Sequence, residues 1–335
     1  MKNVRKIILL LIIMALALPA YSLIIKIGSV APDRSPWDKA LEELGREWKK
    51  ITNGQVQVKI YPGGIAGAEE DMIRKMRMGI LGGAVLTNMG FTKLHPDVYV
   101  MNAPFVITQD GELNYILEKM MPVFEKKIEE KGYKVIIWSK AGWVHFFTNK
   151  PVYYPEDMKK QKISFTTGEP QMEQAWKKSG FHVVPSQLKD LMMALQSGMV
   201  TAFYLPPLIA GSGQYFPLAP YMSSQRIAPL IGGIVVSQNI WKRIPDQYKE
   251  KMMAFAVKLS QDLYAKTVTL EKETIETMIE HGLKIVDIPA DAQGKWRAAA
   301  DKGMDELIGK TFSKEIYESM LRHLEDYRKQ QKNAN

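Results

Sequence analysis

The side chains able to do chemistry are few and scattered. His95, His145, His182, His281 and His323 stand far apart, and none pairs with an acid or a second histidine at a metal-ligand spacing. His145, flanked by Val144 and Phe146 on an apolar run, reads as a hydrogen-bonded or edge histidine rather than a ligand contact. The absence of cysteine removes thiolate nucleophiles, cysteine-held metals and disulfides together. Glu69-Glu70-Asp71 could hold a cation, but three acids opening a helix are explained more simply by its dipole. Gly63-Gly64-x-x-Gly67 and Gly211-Ser212-Gly213 lack the spacing and context of a phosphate cradle and read as turns. Neither HExxH nor GxSxG occurs. These patterns argue against catalysis, metal and cofactor, and for non-covalent binding. An enzymatic reading would need an acid-base pair assembled only in space.

Whatever is bound must be positioned by the elements around it, and the first segment concerns export. Lys2, Arg5 and Lys6 precede an apolar run from Ile7 to Pro19 and the small-residue pair Ala20-x-Ser22, the layout of a cleavable signal peptide over 1–22. The run is shorter than the roughly 20 residues that cross a bilayer. No cysteine follows it, so the expected product is a periplasmic chain starting near Leu23 and not a lipoprotein. Part of the formal +9 charge lies in this leader, and later lysines alternate with acids, as in Glu125 to Lys131. That is a solvated helix face, not a nucleic-acid footprint.

At 335 residues the chain exceeds the size at which single cores usually stop growing, so two lobes are expected. Strand patterns at Ile24 to Gly28, Val56 to Tyr61 and Ala84 to Thr87 alternate with helices started by Ser35-Pro36 and Glu69, which predicts an α/β lobe with parallel pairing. A helix over Gly111 to Glu130, kinked or restarted at Pro122, and strands at Tyr133 to Trp138 and Val144 to Thr148 follow. Lys162 to Phe165, His182 to Val184 and Thr201 to Tyr204 read as second-lobe strands, with helices at Glu169 to Lys178, started by Thr167-Gly168, and at Leu188 to Gln196. Ile227 to Ser237 suits a return strand, and Pro245 opens a helix to about His281 long enough to span both lobes. Helices near Ala290 to Ile308 and Ser313 to Lys329 precede a polar tail. The expected architecture is a two-lobed α/β fold, each lobe a mixed sheet flanked by helices. Lobe I takes 23–147 and about 238–277; lobe II takes 148–237 and about 278–329; 330–335 is a flexible tail.

Several stretches in order resemble the substrate-binding P subunits of TRAP transporters. They are Ala31-Pro32 through Ser35-Pro36, Gly54-x-Val56 leading to Tyr61-Pro62-Gly63-Gly64, Glu70-Asp71-Met72-Ile73 through Gly79, Ala103-Pro104-Phe105, Thr148-Asn149-Lys150-Pro151, Pro155 to Lys159, and Ala194 to Val200. The resemblance covers essentially the whole mature chain. It implies a small-molecule ligand held between two lobes and delivered to a membrane permease driven by an ion gradient, without ATP hydrolysis.

The departures from the family pattern bear on cargo. Where relatives follow the segment matching Pro155 to Ile163 with a carboxylate-binding arginine, this chain has Ser164. Where relatives place an asparagine toward the ligand, it has Leu205. Trp143 and Val144 stand near a third position that can carry arginine, and Phe165 and Tyr204 add aromatic surface. Glu69, Thr87 and Leu188 complete the expected ligand contacts. A buried carboxylate without its partner would cost several kcal/mol, so a hydrophobic or amphipathic ligand is expected. Lys140, Lys162 or Arg226 could instead restore carboxylate binding, and a docking role without cargo is the remaining alternative. The departures resemble the TRAP variant that works with a periplasmic tetratricopeptide-repeat protein.

Overall fold

The computed structural model describes residues 22–166 and 169–334. The expected leader, save Ser22, and the helix start at Thr167-Gly168 lie outside the described residues.

The first sheet begins with β1 (Leu23–Ser29), followed by α1 (Pro36–Ile51), β2 (Val56–Tyr61), α2 (Glu69–Arg77), β3 (Gly83–Thr87), α3 (Asn88–Leu94), α4 (Asp110–Glu129) and β4 (Tyr133–Trp143). The chain then crosses over and forms β5 (His145–Thr148), α5 (Pro155–Met158), β6 (Lys162–Thr166), α6 (Pro170–Lys178), β7 (His182–Ser186), α7 (Leu191–Gln196), β8 (Ala202–Leu205), α8 (Pro207–Ser212) and β9 (Tyr221–Ser223). It returns in β10 (Pro229–Ser237) and α9 (Gln238–Trp241), runs through α10 (Asp246–Glu280), and closes with β11 (Lys284–Val286), α11 (Ala290–Asp301) and α12 (Lys314–Ala334).

Local chemistry explains the starts. Ser35 caps α1, its Oγ accepting from Asp38 N at 3.3 Å, with Pro36 at the first helical position. Leu41, Leu44 and Trp48 form the buried face of α1, and Trp48 Nε1 donates to Met252 O of α10 at 3.1 Å. Pro122 is accommodated within α4, which runs unbroken through it.

Both sheets are mixed. The first has the order β2-β1-β3-β10-β4, with β1 parallel to β2 and β3, and β10 antiparallel to β3 and β4. The second has the order β11-β9-β5-β8-β6-β7. Here β6 is parallel to β7 and β8, while β5 is antiparallel to β8 and β9.

This pairing corrects the expected lobe boundaries. Residues 145–147 belong to the second sheet, because β5 pairs with β8, whereas β10 belongs to the first sheet. A run of β-branched residues announces a strand but not its partner. The last helix also departs from the expected second-lobe assignment, since α12 packs against α4. Tyr327 lies 5.5 Å from Tyr115 between ring centroids, and Arg328 pairs with the buried Glu112. It continues through Ala334, so 330–334 is helical rather than a tail. The helix expected over Ala290 to Ile308 stops at Asp301, where Gly303 passes so close to Ala175 O that an added Cβ would lie 2.1 Å from it.

At 35 residues α10 is about 50 Å long. Met252, Ala256 and Leu259 near its start pack in the core of the first lobe, and Met278 near its end packs in that of the second. A further apolar cluster is continuous between the lobes, joining Met72, Phe91 and Leu113 of the first to Phe165, Trp176 and Trp296 of the second. No helix among the described residues is long and apolar enough to cross a membrane.

Candidate ligand cleft

Among the described residues the chain passes between the lobes four times: from β4 to β5, from β9 to β10, through α10, and from α11 into α12. The first two hydrogen-bond to each other where they cross, Val144 N donating to Ala228 O at 3.0 Å and Ile227 N to Val144 O at 2.9 Å. His145 beside them is buried with Nδ1 2.8 Å from Ser223 O. Burial holds its pKa down to about 4, so the ring is neutral near neutral pH.

A polar cluster occupies this hinge. Asp110, the first residue of α4, accepts from Trp143 Nε1 at 3.1 Å, Tyr264 Oη at 2.6 Å and Arg226 Nη1 at 3.0 Å. The Arg226 guanidinium also lies over the Trp143 ring, 4.5 Å from its centroid. Burial would raise the Asp110 carboxyl, but these donors and the arginine charge hold it below its ordinary value. Glu271 of α10 is also part of the cluster. Burial pushes its carboxyl up to about 7, against the opposing pull of Arg226, and Oε2 is buried without a hydrogen-bond partner among the described residues. Trp143 and Arg226 therefore belong to the hinge.

Ser164, Leu188, Tyr204 and Leu205 do come together. With Ser186 and Phe203 they line a cavity of about 20 Å³ in the second lobe. Ser164 Oγ lies 2.5 Å from Ser186 Oγ across the β6–β7 pair. The expectation for Phe165 is corrected: it is fully buried in the core, because adjacent residues of a strand face opposite sides of the sheet. Its ring touches the cavity only through Tyr204, 6.1 Å away between centroids. Val144 is half-buried against the core, and its backbone is committed to the hinge. Glu69 and Thr87 are joined to each other. The Glu69 carboxylate accepts from the Thr87 amide and, at 3.1 Å, from its hydroxyl, while Thr87 Oγ1 caps α3 by accepting from Met89 N at 3.2 Å. Neither lines a cavity described here, so their visible role is to fix α2 against α3.

The three candidate replacement cations are engaged elsewhere. Lys140 donates to Asn114 and stands 3.6 Å from the Tyr264 ring centroid, Lys162 donates to Gly198 O at 3.0 Å, and Arg226 is held by Asp110.

A second cavity, of about 100 Å³, lies between the lobes and was not read from the sequence. Met89, Lys93 and Tyr99 bound it from the first lobe, and Glu169, Gln171 and Thr311 from the second. The buried Tyr99 hydroxyl donates to the Glu169 carboxylate across the lobes. Glu169 precedes Pro170 at the head of α6, and Tyr99 lies in a 3-10 turn, so no motif announces the pair. Phe105 and Trp296 also meet across the lobes at 5.6 Å. Ligand cavities commonly measure roughly 300–1,000 Å³, so the lobes here are closed on their own side chains. No group of three or more histidines, cysteines or acids able to hold a metal occurs among the described residues.

Two mixed sheets flanked by helices and joined by crossing strands and a long helix, with one cavity between the lobes and another in the second, define a two-lobed solute-binding protein. The chain belongs to the bacterial extracellular solute-binding protein family 7, the DctP family, whose profile matches residues 27–311. Among its relatives is the 2,3-diketo-L-gulonate-binding periplasmic protein of Escherichia coli, 21% identical over 239 residues, covering 70% of this chain and 72% of the relative. A TRAP periplasmic solute-binding protein of Ochrobactrum anthropi, with its C-terminus bound in the ligand pocket, superposes with a TM-score of 0.84 at 18% identity, covering 93% of this chain and 97% of that one. A TRAP periplasmic solute-binding protein of Chromohalobacter salexigens with bound D-glucuronate gives a TM-score of 0.77 at 19% identity, covering 90% and 99%.

Proposed function

We propose that this chain is the periplasmic binding subunit of a TRAP-type secondary transporter whose cargo is a hydrophobic or amphipathic organic molecule, passed to a membrane permease. The observation that carries this reading is the composition of the second-lobe cavity. Leu188, Phe203, Tyr204 and Leu205 supply its walls and Ser164 its polar contact, while Lys140, Lys162 and Arg226 all make other contacts. Two of the three relatives described above bind 2,3-diketo-L-gulonate and D-glucuronate, both acids. An acid entering this cavity would lose its hydration without gaining a cation. An apolar ligand gains roughly 0.8 kcal/mol for each CH₂ it buries. The leader at 1–22 fits export, and a periplasmic tetratricopeptide-repeat protein is the further partner proposed.

Mass spectrometry of material extracted from protein purified without denaturation tests this reading. The expected result is an amphipathic molecule at near-stoichiometric level. A C4-dicarboxylate or a sugar acid at that level would overturn it. The smallness of both cavities favours one second reading, a docking component without cargo, and an open form whose cleft refuses every small molecule would support it.

A further inference from the structure

Resting on the apolar-cargo reading, we propose that the interlobe cavity at Tyr99 and Glu169 receives a hydrogen-bond-donating head, an ammonium or a hydroxyl, of a ligand whose apolar part lies against Tyr204 and Leu205.

The cavity is walled by both lobes, so a group held there is enclosed only when they close. Its 100 Å³ has room for more than one water-sized group. Its half-buried charged group is an acid, Glu169. Glu169 takes one hydrogen bond from Tyr99, and a carboxylate has about four acceptor positions, so its remaining capacity favours a donor. The cation at this cavity, Lys93, is exposed and paired with Glu70 at 2.5 Å. Thr311 Oγ1, which also lines the cavity, is buried without a hydrogen-bond partner among the described residues and can serve a hydroxyl head as donor or acceptor.

Tyr204 belongs to one cavity and lies near the acid of the other. It lines the apolar one, and its hydroxyl is near enough to Glu169 for the carboxylate charge to reinforce burial in raising its pKa. Burial also raises the Glu169 carboxyl against the opposing pull of the Tyr99 hydroxyl and the Lys93 charge, and a donor from the ligand would offset the remainder. Relatives that bind sugar acids have to satisfy a ligand carboxylate, whereas this chain presents one of its own.

The test uses chain-matched probes: decylamine, decanol and decanoate, each titrated calorimetrically into ligand-stripped full-length mature protein below its aggregation concentration. Decylamine and decanol should bind at least about tenfold more tightly than decanoate, and the isosteric Glu169→Gln should weaken decylamine about tenfold while leaving decanol within about threefold. Decanoate binding as tightly as decylamine would overturn the donor-head inference and leave the apolar reading standing. So would unchanged decylamine affinity in a folded Glu169→Gln protein. If none of the three binds, the apolar reading fails and this inference fails with it.

Discussion

Glu271 is the buried acid that the hinge leaves least satisfied, and its titration should be visible in stability. Its carboxyl rises from the ordinary 4.5 to about 7 in the fold, so between those values the folded protein binds more protons than the unfolded chain. Stability contributed by the protonated group is therefore complete below about pH 4.5 and is lost as pH rises through about 7. Scanning calorimetry from about pH 5 to about pH 8 should show a larger fall in melting temperature for the wild-type protein than for Glu271→Gln. Parallel profiles would contradict this account. Ser164 offers a second residue-scale test. Ser164→Arg would force an unpaired guanidinium against Ser186 and Phe203, at an expected cost of about 3 kcal/mol in urea unfolding. An unchanged midpoint would mean the cleft still accommodates the charge of the family pattern. Of the ligand contacts expected from the sequence, Ser164, Leu188, Tyr204 and Leu205 line one cavity. Phe165 faces the core instead, because composition says nothing of which strand face a side chain takes, and the bond of Trp143 to Asp110 was not legible because the two are distant in the chain.

β10 carries the strongest constraint at the scale of elements. It lies between β3 and β4, and at Gly233 a Cβ would come within 2.2 Å of Ile137 O and 3.0 Å of the Phe91 ring. Gly233→Ala should cost about 1–3 kcal/mol by overpacking, with the urea midpoint lowered and the slope unchanged. A neutral result would mean the strand can shift away from β4. The sequence made the existence of β10 legible through its β-branched run but not its sheet, because return to the first lobe depends on pairing at long range. The same limit applies to α12, whose anchors on α4, Glu112 and Tyr115, lie more than 200 residues earlier. The long helix α10 was legible, since it depends on local propensity and the absence of a glycine over its length.

The closed arrangement of the whole molecule rests on a continuous apolar cluster and on the Tyr99–Glu169 and Phe105–Trp296 contacts between lobes. Binding requires these contacts to open, so the state accepting ligand is a different population from the one described, and a ligand acts by its differential affinity for the lobes when closed around it. The two-lobed α/β plan followed from length and from the alternation of strands and helices. The interlobe cavity did not, because its walls come from segments far apart in the chain that meet across the lobes. The central claim is that this cleft takes apolar rather than acidic cargo. The most direct measurement is a calorimetric titration of ligand-stripped protein with D-glucuronate and, separately, with decanol. The account predicts saturable binding of decanol and no resolvable binding of D-glucuronate; tight, saturable D-glucuronate binding without decanol binding would contradict it.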